Sequence, residues 1–78
     1  MERPAKRSVT LKGHRTSVTL ERPFWDALKE MADERRLSVN ELIAEIDERR
    51  LAEGGLEGAG LSSAIRITIL EWVRNIST

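Results

Sequence analysis

The sequence has no cysteine, a single histidine and only two prolines. Without cysteine there are no disulfides and no thiolate ligands for a metal. With one histidine and no acid, base and nucleophile close together, an enzyme is not expected, and neither is a cofactor. No apolar run is long enough to span a bilayer and no signal-peptide core follows Met1, so the chain is read as cytoplasmic with no membrane partner. At 78 residues one domain is expected, with a modest core that is often marginal alone. Because no covalent or metal staple is available, a homodimer is the expected source of further burial.

Charge of one sign is also lacking overall, since 13 Lys and Arg balance 13 Asp and Glu. The balance is not local. Residues 1–22 hold Arg3, Lys6, Arg7, Lys12, Arg15 and Arg22 against Glu2 and Glu21, a surplus of four positive charges, and the remainder carries the matching negative excess. A basic amino-terminal segment on an acidic helical body is either a solvated tail or the seat of an anionic partner.

Arg15–Glu21 alternates: Thr16, Val18 and Leu20 share one face, and Arg15, Ser17, Thr19 and Glu21 the other, the two-residue period of a strand with one wet face. Ser8-Val9-Thr10-Leu11 repeats as Ser17-Val18-Thr19-Leu20, with Lys12-Gly13-His14-Arg15 between. Gly13-His14 suits a type II′ hairpin loop, which places Val9 opposite Val18 and Thr10 opposite Ser17. The alternative is pairing of the second strand between two chains. Either way the strand needs a partner for its backbone groups.

The sequence divides into a flexible basic arm (1–7), a β-ribbon or hairpin (8–21), a helix (23–36), a second helix (39–51), a glycine-rich loop (52–60) and a third helix (62–76). Pro23 fits the first turn of its helix, whose apolar stripe is Phe24, Ala27, Leu28 and Met31. Ser38-Val39-Asn40-Glu41 reads as a capping box, followed by Val39, Leu42, Ile43 and Ile46 facing inward. Glu45, Asp47 and Glu48 read as a solvated helix face. The glycine-rich loop lacks the Lys-Ser/Thr of a phosphate-binding loop and reads as a linker. In the last segment Ser62 or Ser63 is the expected N-cap. Ile65, Ile69, Trp72 and Ile76 form one stripe, and Ile67, Leu70 and Val73 widen it enough that burial on most sides is expected. Ile65-Arg66-Ile67-Thr68-Ile69 also alternates like a strand, but its length with residues 70–74 favours a helix. Trp25 and Trp72 read as core or interface anchors.

A basic arm, a short alternating strand, a helix, a tight turn and a capped second helix, carried by Ser17–Leu20, Pro23, Leu28, Met31 and Leu37–Ile43, resemble the ribbon-helix-helix (Arc/methionine-repressor) superfamily over residues 15–51. The chain resembles a small bacterial subfamily with an added carboxy-terminal helix. The resemblance implies a mainly α fold with a short β-ribbon, in an intertwined homodimer that binds double-stranded DNA as a transcriptional regulator or repressor. It implies that two strands, one from each chain, pair antiparallel and lie in the major groove, which admits a two-stranded ribbon, with Arg15, Ser17 and Thr19 facing base edges. It implies phosphate contacts from Lys12, His14 and the helix start at Ser38, Val39 and Asn40, where backbone N–H groups and the helix dipole favour an anion. The dimer core it implies is Val18, Leu20, Leu28, Leu42, Ile43 and Ile46. Two features depart from the pattern. Ser and Thr discriminate bases poorly beside Arg or Asn, and Glu21 repels phosphate unless it meets a cytosine amine or pairs with Arg22. The competing reading is a protein-interaction module, antitoxin-like or scaffolding, in which the apolar third helix meets a possible protein partner.

Overall fold

In the computed structural model, which describes residues 4–53 and 60–76, two strands precede three helices. β1 (Ala5–Leu11) and β2 (His14–Leu20) pair antiparallel within the chain. α1 spans Arg22–Glu34, α2 Val39–Ala52 and α3 Leu61–Ile76. This is the mainly helical fold with a short β-ribbon that the sequence implies. Part of the basic arm (residues 1–3) and most of the glycine-rich loop (54–59) lie outside the described residues.

The hairpin turns one residue earlier than its sequence suggests. Lys12 (φ 51°) and Gly13 (φ 79°) both take positive φ, the signature of a type I′ turn, whose twist matches that of the strands. His14 therefore belongs to β2, opposite Leu11. The register is shifted by two: Val9 faces Thr16 rather than Val18, and Thr10 faces Arg15 rather than Ser17. A two-residue shift leaves every side chain on its expected face. β1 starts at Ala5, so Lys6 and Arg7 are strand residues, opposite Thr19 and Val18.

α1 follows with Glu21 at its extended N-cap position and Pro23 in the first turn. Its buried face is Trp25, Leu28, Met31 and Ala32, with Phe24 and Ala27 only partly covered. The helix is rotated from the expected stripe because the Trp25 indole N–H donates to the Ala5 carbonyl at 3.0 Å, which fastens α1 to the start of β1. Its end is a Schellman motif. Leu37 N–H donates to the Ala32 carbonyl at 2.8 Å and Arg36 N–H to that of Asp33 at 3.1 Å, with Arg36 at φ 58°. That reversal lets α2 begin after only Leu37 and Ser38.

α2 opens with the expected capping box. Glu41 N–H donates to Ser38 Oγ at 3.0 Å, and Ser38 N–H to Glu41 Oε1 at 2.8 Å. Leu42, Ile43 and Ile46 face the core. Asp47, expected on the solvated face, is buried. It lies one helical turn beyond Ile43 and so on the same side, and the Arg50 guanidinium meets it at 2.7 Å.

α3 resolves the strand-or-helix ambiguity as a helix. Ala64 N–H donates to the Gly60 carbonyl at 3.1 Å, so the helix starts ahead of both serines and neither is its N-cap. Ser62 Oγ instead donates to the Thr19 carbonyl at 3.1 Å. Ile65 and Ile69 are buried against the other elements, and Trp72 packs beside them. With α3 in place, Val18, Leu20, Leu28, Leu42, Ile43 and Ile46 are all covered inside one chain. The outer face of α3 is not covered: Ile67, Leu70, Val73 and Ile76 remain 40–61% exposed, where burial on most sides is expected from sequence.

Candidate nucleic-acid interface

The ribbon has one buried face and one open face. Val9, Val18 and Leu20 are inward and buried. Outward and exposed lie Lys6 opposite Thr19, Ser8 opposite Ser17, and Thr10 opposite Arg15. Arg15, Ser17 and Thr19, the residues the sequence points to, thus share one surface. Lys6, Ser8 and Thr10 join them from β1. The Ser-Val-Thr-Leu repeat holds the signal for Ser8 and Thr10, since it gives both strands the same alternation. Lys6 is missed only because the first strand begins earlier than that repeat.

The ribbon as a whole is electropositive by composition. Between Pro4 and Leu20 there are four Lys and Arg and no Asp or Glu. Lys12 and His14 sit exposed at and beside the turn. Arg7 belongs to the inner face, where its guanidinium lies 4.9 Å from the Trp25 ring centroid, a cation–π contact.

The start of α2 is fixed to this ribbon. The Asn40 side-chain oxygen accepts from Thr10 N–H at 2.9 Å and its amide donates to the Thr10 carbonyl at 2.8 Å. Asn40 thereby mimics one rung of a third strand on the outer edge of β1. The helix start and the ribbon are held together although 30 residues separate them in sequence. The Asn40 side chain is committed to this clamp, so of that residue only the backbone N–H could meet an anion. Glu41 lies at the same terminus, and its carboxyl is held below its ordinary value by hydrogen bonds with the Ser38 backbone and hydroxyl.

Glu21, which directly follows β2, is neutralised from α3. Arg66 Nε and Nη2 reach Glu21 Oε1 at 3.1 and 2.8 Å. Its carboxyl is held low by its own backbone N–H and by Arg66. Pairing with Arg66 is the condition under which Glu21 stops opposing an anion, and the sequence reading does not find that partner because it lies 45 residues away.

A basic two-stranded ribbon followed by a helix, a tight turn and a capped helix defines a ribbon-helix-helix protein. A sequence profile described as the ribbon-helix-helix domain matches residues 4–73, and the chain belongs to that family, a DNA-binding type of fold rather than an enzymatic one. Among solved structures it is similar to an uncharacterized protein from Bordetella pertussis Tohama I, at 37% identity and a TM-score of 0.74. The match covers 88% of this chain and 54% of that one, so the chain spans about half the length of that protein. No curated protein matches the sequence. Among the described residues no cluster of His, Asp or Glu is arranged to hold a metal ion, and no helix is long and apolar enough to cross a membrane.

Proposed function

We propose that this protein is a transcriptional regulator that binds duplex DNA as a homodimer in the cytoplasm of a bacterium. Each chain lays its own β1–β2 ribbon in the major groove. Lys6, Arg15, Ser17 and Thr19 face base edges, while Lys12, His14 and the backbone at Ser38, Val39 and Asn40 meet phosphates. The observation that carries this reading is the open ribbon face, which presents short polar and cationic side chains with no acid between Pro4 and Leu20. Two strands about 4.8 Å apart fit a groove about 12 Å wide. Arg15 and Lys6 supply charge and the capacity for bidentate or single contacts to guanine, and the hydroxyls of Ser8, Thr10, Ser17 and Thr19 adapt to any base. Affinity for DNA is therefore expected to exceed sequence discrimination.

The test is a gel-shift series on random duplex at several salt concentrations. Binding that falls linearly in log affinity against log salt supports the reading. No binding to duplex even at low salt overturns it. The second reading, an interaction module that uses the fold without reading DNA, is favoured by a separate observation, the exposed aliphatic face of α3.

A further inference from the structure

α3 has an ionic flank and an aliphatic one. On the ionic flank Glu71 and Asn75 line a cleft with Arg35 and Arg49, whose charges are met by Glu45 and Glu53. On the other, Ile67, Leu70 and Val73 border a groove of about 330 Å³ that Phe24 of α1 also lines. With Ile76 these aliphatic residues recur at every third position, so they form one continuous ridge along the helix. All four are 40–61% exposed. A bare ridge beside an apolar groove is the surface that a further helix fills, ridge into groove.

We propose that this groove docks an amphipathic helix of a partner protein, with an aliphatic stripe against Ile67, Leu70 and Val73 and a carboxylate on its flank. The inference goes beyond the DNA reading and does not depend on it. The charges at the rim select the partner. Arg66 is part of the groove wall, but it is held by Glu21 and lies 5.6 Å from the Phe24 ring centroid. Arg74 follows Leu70 by one turn, and so borders the ridge on the side toward the ionic cleft. It is exposed and has no ion-pair partner among the described residues. Glu71, the one acid of α3, is turned about 100° from Leu70 round the helix axis. A carboxylate beside the stripe of a docked helix therefore meets an open guanidinium at an edge partly cleared of water.

Two other occupants fit less well. A second copy packed antiparallel on the ridge sets Arg66 against Arg74, and α3 brings no carboxylate on that face to separate them. An anionic bilayer favours a helix rich in Lys and Arg, whereas α3 carries only Arg66 and Arg74.

The experiment selects from a phage-displayed library of random peptides of about 16 residues, enough for some four helical turns. The target is the immobilised full chain, with Leu70→Glu as counter-target. Enriched peptides are synthesised and titrated by fluorescence anisotropy against the parent, Leu70→Glu, Ile67→Lys, Arg74→Glu and Arg74→Lys. The parent should enrich peptides with aliphatic residues at helical spacing and an excess of Asp and Glu. Leu70→Glu and Ile67→Lys should each weaken binding by ~100-fold or more, equivalent to about 2.7 kcal/mol. Arg74→Glu should weaken it about 10-fold, and Arg74→Lys should retain it. Far-UV circular dichroism should show the variants helical, and Ile67→Lys carries the test should Leu70→Glu unfold. No enriched peptide, an enriched set without acidic residues, or binding that survives both Leu70→Glu and Ile67→Lys overturns the inference. So does a parent dimer in sedimentation equilibrium that Leu70→Glu abolishes, which makes the occupant a second copy. So does binding to phosphatidylcholine–phosphatidylserine vesicles that Leu70→Glu abolishes, which makes it a membrane. The gel-shift series reports on DNA binding separately from all of these.

Discussion

Two faces of this molecule stand open in a single chain, and they differ in kind. The ribbon exposes Lys6, Ser8, Thr10, Arg15, Ser17 and Thr19, all at home in water. α3 exposes Ile67, Leu70, Val73 and Ile76, none of which is. The first face needs no partner to be stable, so its charge and hydroxyls say what it is fit to recognise. The second loses free energy in proportion to the apolar area left wet, so it is the face where covering by a partner would stabilise the chain most. Stability and recognition are thus assigned to opposite surfaces, and substitutions can separate them.

The largest effect should come where the ribbon's inner face meets the core. Val18 is 1% exposed, and Val18→Asp places an unpaired charge there. A loss of more than about 4 kcal/mol and of the cooperative melt is expected by thermal denaturation. A melt like the parent's would mean that the hairpin does not pack on the helices as described.

On the open face the same strand should behave differently. Arg15→Ala should leave the melting temperature nearly unchanged but alter DNA binding. If each copy contacts one phosphate through Arg15, the log–log salt slope of a dimer should shrink by roughly two, about 0.9 for each phosphate. If Arg15 reads guanine instead, affinity should fall mainly on a preferred site, by about 1–3 kcal/mol per contact. Thr19→Ala should change sequence preference with little effect on the slope.

The link between the faces is Asn40. Asn40→Ala removes both bonds to Thr10 and is expected to lower stability by about 1–2 kcal/mol in a denaturant titration. It should also loosen the helix start from the ribbon and weaken DNA binding more than the stability loss accounts for. An Asn40→Ala protein with the parent's affinity would remove the start of α2 from the interface.

Acid should act through Glu21 and Glu41. Both carboxyls lie below their ordinary value of 4.5 in the folded chain. Their contribution is therefore fully present above about pH 4.5 and is lost as pH falls through the lower folded values. An acid titration of the melting temperature should show this decline, and Arg66→Gln should diminish the part that belongs to Glu21. The smallest effect is a gain. Arg36 occupies the left-handed C′ position that glycine favours, and Arg36→Gly should raise stability by about 0.5 kcal/mol after allowance for the freer unfolded chain.

Local patterns made most of the fold legible. The Val18/Leu20 alternation, the Ser38–Glu41 box and the Leu42/Ile43/Ile46 spacing each encode their structure within a few residues. What was not legible depends on partners distant in sequence or on backbone torsion. A positive φ at Lys12 has no marker in a lysine, so the turn is displaced by one residue. The Asn40–Thr10 clamp and the Glu21–Arg66 pair span 30 and 45 residues and have no periodicity to betray them. Asp47 reads as surface because its identity is polar, although its spacing from Ile43 puts it inward. For the candidate interface, alternation groups Arg15, Ser17 and Thr19 and the Ser-Val-Thr-Leu repeat signals Ser8 and Thr10, but Lys6 emerges only with the register.

The Lys12-Gly13 turn also bears on the order in which the molecule is made. A ribbon closed through two residues is a nearest-neighbour event, reached on the scale of about 1–10 microseconds that β-hairpins need. A ribbon built from two chains would have to wait for an encounter. Refolding of the secondary structure should therefore proceed at a rate independent of protein concentration, and any phase that quickens with concentration should belong to the later meeting of two finished protomers.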